Sequence, residues 1–263
     1  MNSVFSIPKP VNEPPKSYLP GSPERQLLKD ELEHQRNDCP VIPLIIGGKE
    51  VYTERRIPVC MPHDHQHILA YCCLAGEKEL QQAIDAAMSA KAGWEAMPWV
   101  HRAAIFQRAA HLISGKYRYR LNAATMLGQS KTVYQAEIDA PCEITDFLRF
   151  NIYYADMIYH QQPENKTAVW NRMIYRPLEG FVLAISPFNF TAIGGNLATS
   201  PAIMGNTVLW KPATTAVLSN YYLMQVFLEA GLPAGVINFI PSEGSDVSRY
   251  VISDSRMAGF HFT

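Results

Sequence analysis

Three short, uninterrupted apolar runs constrain the fold of this chain more than any other feature. They are FVLAI (181–185), TVLW (207–210) and VINFI (236–240), and segments with helical patterning separate them. Continuous rather than alternating apolar residues indicate strands that are covered on both faces. Strands that alternate with helices predict a Rossmann-like, doubly wound parallel sheet with right-handed crossovers. AGFHF (258–262) is typical of one more strand, and with it the sheet would still be incomplete.

Individual residues predict the ends of the helix between the second and third runs. Thr215 is a suitable N-cap, because its hydroxyl can accept a hydrogen bond from the first turn. Gly231 suits the left-handed position after the last turn, and Pro233 cannot continue a helix. The crossover helix is therefore expected between Thr215 and Gly231.

The amino-terminal part of the chain has a different pattern. Six prolines precede Glu24, which predicts an extended arm over residues 1–22. Helical periodicity begins near Pro23 and returns several times before residue 160. Short strand-like segments interrupt it at VIPLIIGG (41–48), EVYTERRIPV (50–59) and ILAYCCLA (68–75). We therefore predict an α/β protein in three regions, which are the arm (1–22), a helix-rich region with short strands (23–167) and a truncated nucleotide-binding domain (168–263).

Composition narrows the class of protein. A chain of 263 residues with 48% hydrophobic and 18% charged residues is typical of soluble globular proteins. A net charge of -1 gives no electrostatic reason to expect a nucleic-acid or membrane partner. The five cysteines form no CxxC pair, which favours a reducing intracellular compartment. The first arginine is Arg25, so an Arg-rich transit peptide is not predicted.

Three polar residues stand where the predicted strands end. Ser186 and Asn189 follow the first apolar run, and Lys211 follows the second. Ligands of open α/β sheets bind beyond the carboxyl ends of the strands. An amide there can stabilise an oxyanion, and a lysine can bind ribose hydroxyls or phosphate. The alternatives are a turn asparagine, a solvated loop lysine and a serine that caps the turn.

Other candidates are weaker. No GxGxxG fingerprint follows a strand, so a standard pyrophosphate loop is not indicated. HDHQH (63–67) has no further ligand pair nearby, and a solvated turn is a better interpretation than a metal site. Glu137 and Asp139 lie two apart on a predicted helix, which favours a solvated face over a shared acid–base pair. No metal site is therefore predicted.

Several motifs resemble those of the aldehyde dehydrogenase family. They are SPFNF (186–190), LWKP (209–212) and GLPAGVIN (231–238). Two longer strings, SPFNFTAIGGNL (186–197) and GQSKTVYQAEID (128–139), resemble one branch of that family. This branch oxidises L-glutamate γ-semialdehyde, formed from Δ1-pyrroline-5-carboxylate, to L-glutamate in proline degradation. The resemblance runs from about residue 22 to residue 263 and matches the amino-terminal half of the family's length.

The resemblance implies roles for individual residues. Asn189 matches the asparagine that stabilises the oxyanion, and Phe190 matches a residue that lines the aliphatic stem of the aldehyde. NAD is the implied cofactor, and in this family it binds without GxGxxG. The cofactor-contacting positions of the family match Ser186, Pro187, Lys211 and Gly244. The family further implies a homodimer and, in eukaryotes, the mitochondrial matrix.

The chain departs from the family pattern in two ways that matter for activity. Thr214 stands where many members have a ribose-binding glutamate. The catalytic cysteine and the general-base glutamate of the family lie beyond Thr263, so we expect a fragment that is inactive alone. Two alternatives remain, which are a non-catalytic nucleotide- or partner-binding half-domain and a dehydrogenase of another aldehyde.

Overall fold

A computed structural model describes residues 6–263, which form a six-stranded sheet, a three-stranded sheet and the helices that cover them. The helices are α1 (Pro23–Asn37), α2 (Glu77–Ala96), α3 (Trp99–Ser114), α4 (Arg118–Gln129), α5 (Val133–Glu137), α6 (Glu143–His160), α7 (Thr191–Ile203), α8 (Val217–Glu229) and α9 (Gly244–Val247). The strands are β1 (Val41–Ile42), β2 (Leu44–Ile46), β3 (Lys49–Val51), β4 (Arg56–Met61), β5 (Asp64–Cys73), β6 (Phe181–Ile185), β7 (Thr207–Lys211), β8 (Ile237–Phe239) and β9 (Met257–Phe262). None of the described helices is both long and apolar enough to cross a membrane.

The larger sheet has the strand order β3-β2-β8-β7-β6-β9. Strands β8, β7, β6 and β9 are parallel, and the register places Ile185 beside Lys211. The predicted parallel sheet is confirmed. Strand β2 pairs antiparallel with β8 through Ile45 and Phe239, so the sheet also includes a hairpin from the helix-rich region.

Both faces of this sheet are covered, as the continuous apolar runs predict. Val182 and Ala184 of β6 pack in a core cluster that includes residues of α7 and α8. Phe181 and Leu183, which point to the opposite face, pack in a second cluster with residues of α2. Alternate residues of a strand lie on opposite faces, so the single run FVLAI contributes to two cores. The doubly wound α/β class is confirmed.

The smaller sheet, of order β1-β5-β4, corrects two predictions. EVYTERRIPV is divided between β3 and β4, which belong to different sheets. HDHQH is not a turn, because β5 begins at Asp64 and only Pro62 and His63 form the turn of the hairpin. Antiparallel pairing of β4 with β5 gives this polar segment its backbone partners, which composition does not reveal.

Helix ends follow the local signals in most places. Ser22 caps α1 through its hydroxyl, which accepts a hydrogen bond from the Arg25 backbone. Gly231 has a φ of 95° directly after α8, as predicted. Thr215 is not the N-cap of α8, because a short 3-10 turn over Thr214–Ala216 precedes that helix. A π-helical turn over Ile138–Cys142 joins α5 to α6, and it contains Pro141, which has no N–H to donate.

The described part of the arm lies on the helices of its own chain. Its Tyr18 hydroxyl donates to Glu137 Oε2 at 2.6 Å, and Arg118 Nε donates to Glu137 Oε1 at 3.0 Å. Arg118 also binds Glu13 of the arm at 2.6 Å, and Asn122 donates to both Tyr18 and Glu137 at 2.7 Å. We call these five residues the arm cluster. Glu137 is fully buried, so its predicted solvated position is wrong.

Candidate functional site

The carboxyl ends of β6 and β7 meet at one edge of the sheet because the two strands are parallel. β6 continues into a five-residue loop, Ser186–Phe190, which ends where α7 begins. The backbone N–H of Ser186 donates to the Lys211 carbonyl at 3.1 Å. Two residues that are 25 positions apart in the chain are therefore neighbours at the edge. The predicted site residues Ser186 and Lys211 are brought together.

Ser186 is buried, with 5% of its surface exposed. Its hydroxyl accepts a hydrogen bond from Trp210 Nε1 at 2.6 Å and donates to the Gly194 carbonyl at 3.4 Å. Both contacts lie inside the protein. The hydroxyl therefore anchors the start of the loop, and the predicted cofactor contact would use other atoms of Ser186.

The middle of the loop is open to solvent. Asn189 is exposed, and its side chain has no hydrogen-bond partner within residues 6–263. A turn asparagine would bond to nearby backbone groups, so the geometry favours a side chain that is available to a ligand. Phe188 is 68% exposed, and Pro187 and Phe190 are half-buried. The predicted catalytic and substrate-binding residues thus occupy the accessible part of the loop.

Lys211 is half-buried and has neither an ion pair nor a side-chain hydrogen bond within the described chain. Burial lowers the pKa of its ammonium group below the ordinary value, and Glu243 offsets part of this effect. A partly desolvated cation without a partner is suited to bind an electron-rich ligand. Oxygen atoms of a sugar or a phosphate have this chemistry.

Gly244 begins α9, on the segment that follows β8. A Cβ built on Gly244 would meet no atom within 4 Å, so its surroundings are open. The Ile240 N–H donates to the Trp210 carbonyl at 2.8 Å, which places this segment beside the end of β7. Lys211 and Gly244 therefore lie at the same edge of the sheet. Gly244 has open space around it, and the ammonium group of Lys211 is unpaired within residues 6–263. This arrangement fits a nucleotide that crosses the strand ends.

Sequence reasoning missed the supports of the loop. Lys131 lies with its Nζ 4.0 Å from the centre of the Phe190 ring, and it pairs with Asp139 at 2.7 Å. Glu143 lies near this pair and has a buried oxygen without a partner. Burial, followed by the charge of Asp139, raises the pKa of the Glu143 carboxyl. Lys131 and Asp139 belong to GQSKTVYQAEID, and Glu143 begins the helix after it. Spacing along that string does not reveal that Lys131 contacts the loop.

The cysteines and histidines add no second centre. All five cysteines are free, and three of them, Cys72, Cys73 and Cys142, are buried. Within residues 6–263, no three His, Cys, Asp or Glu side chains are grouped so that they could hold a metal ion. His63 instead bonds to Ser130 at 2.7 Å, and His67 to the Arg36 carbonyl at 2.7 Å.

The fold defines a doubly wound α/β protein, and the side chains at its carboxyl edge form a candidate ligand site beyond the strand ends. The model of the Aldehyde dehydrogenase family matches residues 50–263. The chain belongs to the aldehyde dehydrogenase family, and the predicted resemblance is confirmed.

Three relatives show how far the similarity extends. A probable delta-1-pyrroline-5-carboxylate dehydrogenase of Schizosaccharomyces pombe is 52% identical over 261 residues, which are 98% of this chain and 48% of the relative. The mitochondrial human delta-1-pyrroline-5-carboxylate dehydrogenase is 46% identical over 255 residues, with 97% and 45% covered. The Mycobacterium tuberculosis enzyme bound with NAD has a TM-score of 0.97 and 49% identity, and 100% of this chain and 49% of that chain are covered. The chain spans about half the length of the curated relatives it matches.

Proposed function

We propose that this chain is the cofactor-binding half of an NAD-dependent dehydrogenase that oxidises L-glutamate γ-semialdehyde to L-glutamate in proline degradation. The relatives named delta-1-pyrroline-5-carboxylate dehydrogenase support this substrate, since they match nearly the whole chain. The observation that carries the proposal is Asn189, an exposed amide at the carboxyl edge of the sheet that has no hydrogen-bond partner within residues 6–263.

Asn189 would act on the carbonyl oxygen of the aldehyde. When a nucleophile adds to the carbonyl carbon, negative charge develops on that oxygen. The Asn189 amide is free to donate a hydrogen bond to it, and one such donor typically lowers a barrier by about 3 kcal/mol. Phe190 is half-buried beside the amide, so its ring would pack on the apolar stem of the substrate. The nucleophile would come from outside this chain.

Four residues would hold the cofactor. Lys211 would donate to the ribose hydroxyls, and Gly244 would leave room for the adenine. Pro187 and the backbone of Ser186 would face the cofactor, because the Ser186 hydroxyl is already bonded to Trp210 and Gly194. When it is bound, NAD supplies the acceptor for the hydride that leaves the substrate. Thr214, in place of glutamate, leaves Lys211 with the larger share of ribose recognition.

Assembly and compartment are part of the same proposal. We infer a homodimer from the family resemblance. We infer the mitochondrial matrix because the relatives of Dictyostelium discoideum and mouse are named mitochondrial.

The test is turnover in a protein that contains this chain and extends to the length of its relatives. Glutamate γ-semialdehyde should be oxidised with a higher kcat/KM than propanal, and equal efficiency would refute the substrate. Asn189→Ala should lower turnover about a hundredfold or more. Asn37→Ala, at the exposed asparagine that ends α1, serves as the matched control and should leave turnover unchanged.

The chain of 263 residues alone distinguishes the proposal from a non-catalytic binding module. We expect it to reduce no NAD in the presence of the semialdehyde. If the 263-residue chain melts cooperatively and the longer protein that contains it is also inactive, the binding module is favoured instead. Near-normal turnover of Asn189→Ala in an active protein would make Asn189 a turn residue only.

A further inference from the structure

The residue that follows the loop is held unusually firmly. Thr191 is the first residue of α7 and is fully buried. Its Oγ1 lies 2.8 Å from Thr125 Oγ1 and accepts from Gln129 Nε2 at 2.7 Å. It also donates to Ser219 Oγ at 2.8 Å. A hydroxyl has one hydrogen to donate and two lone pairs, so these three bonds use its full capacity.

The directions of these hydrogen bonds are mutually consistent. Ser219 accepts from Thr191 and donates onward to the Ala216 carbonyl at 3.2 Å. Thr125 is then left to donate to Thr191. Thr125 and Gln129 belong to α4, and Ser219 belongs to α8. One hydroxyl therefore joins the start of α7 to two other helices.

No side-chain cap fixes the start of α7. The N-cap position of α7 is Phe190, whose side chain cannot accept a hydrogen bond from the first turn. At the other end of the loop, Trp210 holds the Ser186 hydroxyl. The loop is thus fixed at both ends by buried hydrogen bonds, while the side chain of Asn189 between them has no hydrogen-bond partner in the described part of the chain.

We propose that Thr191 is a positioning residue, whose hydroxyl fixes the backbone that carries Asn189 two residues earlier. This inference rests on the proposed function, because it gives Asn189 an oxyanion to bind. Because no side-chain hydrogen bond within residues 6–263 orients this amide, its direction depends on its backbone. Displacement of a donor by about 1 Å can cost up to a hundredfold in rate.

Thr199 provides a matched control within the same helix. It is also fully buried, and its hydroxyl donates to the Gly195 carbonyl at 2.9 Å, inside α7. Thr→Val preserves shape at both positions and removes the hydroxyl. The two substitutions therefore remove a buried polar group from one helix, but only one of them releases the loop.

The experiment uses a protein that contains this chain and extends to the length of its relatives. Thr191→Val should lower kcat about tenfold, with less than about a twofold change in the Kd for NAD. Thr191→Ser keeps the hydroxyl and should restore most of kcat. Thr199→Val should leave kcat unchanged. Equal losses for the two valine variants would overturn the proposal, since general destabilisation would then explain both.

A double-mutant cycle separates positioning from a structural role. If Thr191 acts through Asn189, then Asn189→Ala with Thr191→Val should be no slower than Asn189→Ala alone. A further tenfold loss in the double variant would show independent effects and would sink the inference. If Asn189→Ala itself has no effect, the proposed oxyanion role fails. If Asn189→Ala is slow while Thr191→Val is normal, only the positioning role fails.

Discussion

Two basic side chains in this protein are withdrawn from water in opposite ways. Arg118, in the arm cluster, has 2% of its side chain exposed and is paired with the carboxylates of Glu13 and Glu137. Its guanidinium also donates to the carbonyls of Pro14 and Ser114. Lys211, at the carboxyl edge of the sheet, is half-buried and has no partner within residues 6–263. The charge of Arg118 is neutralised by carboxylates of its own chain, whereas the charge of Lys211 is available to a ligand.

The difference is the one expected between a structural polar site and a candidate ligand site. A buried charge is expensive unless it is paired and hydrogen-bonded, and Arg118 meets both conditions. Hydrogen bonds from Arg118 and Arg149 hold the pKa of the Glu13 carboxyl below its ordinary value, although burial acts in the opposite direction. At Lys211, burial lowers the pKa, and the charge of Glu243 offsets only part of this effect. Removal of the charge should therefore have opposite consequences for stability at the two sites.

The largest effect is expected for Arg118→Met. The variant leaves the fully buried Glu137 without its cation, whereas Glu13 keeps its ion pair with Arg149. Loss of one partner of a buried pair costs about 3–5 kcal/mol. The free energy of unfolding, measured by urea denaturation of the 263-residue chain, checks this value. Lys116→Met is the control, because Lys116 pairs with Glu229 at the surface and its loss should have a much smaller effect. Equal effects of the two variants would contradict the comparison.

The positions of the candidate site residues were easier to predict from the sequence than the arm cluster, for a physical reason. Asn189 and Lys211 are recognised from strand ends, which are local features of an apolar pattern. Glu137 is misjudged as solvated because its partners Arg118 and Tyr18 lie 19 and 119 residues away. Periodicity along one helix carries no information about contacts at such separations.

The same reason limits the prediction of the loop supports. Thr191 meets Gln129 and Ser219, which are 62 and 28 residues distant. The parallel sheet was predictable because each strand is buried on both faces and so has a continuous apolar sequence. The division of EVYTERRIPV between β3 and β4 was not, because it depends on which sheet each half joins. Family motifs imply cofactor-binding roles for Ser186 and Gly244 that their local patterns do not indicate.

A smaller loss is expected for Tyr18→Phe. The substitution keeps the ring and removes the hydroxyl that donates to Glu137, and hydrogen bonds to charged groups contribute about 1.5–3 kcal/mol. Asn122 still donates to Glu137, so the loss should lie at the lower end of that range. Urea denaturation measures it. Tyr154→Phe, at an exposed tyrosine of α6, is the control and should be close to neutral.

Cys142 reports whether such variants loosen the arm. Burial, with the nearby charge of Glu137, raises the pKa of its thiol to about 12, so alkylation at neutral pH should be slow. Tyr18→Phe should accelerate alkylation of Cys142 by iodoacetamide, while exposed Cys39 reacts at an unchanged rate. Unchanged protection of Cys142 would mean that the arm stays closed without this hydrogen bond.

The smallest effect is expected for Lys211→Met, and it should affect binding more than folding. Loss of the cation should weaken NAD binding about tenfold, as for one charged hydrogen bond, and calorimetric titration of the chain measures this. The free energy of unfolding should rise slightly. The charged lysine is fully hydrated in the unfolded chain but partly desolvated in the folded one, and methionine removes this cost of folding. The sign with pH follows from the lowered pKa: between that pKa and 10.5 the unfolded state binds more protons, so the wild type gains stability as pH rises. The stability advantage of Lys211→Met over the wild type should therefore shrink as pH rises through this window. If Lys211→Met is instead less stable than the wild type at neutral pH, Lys211 has a structural partner.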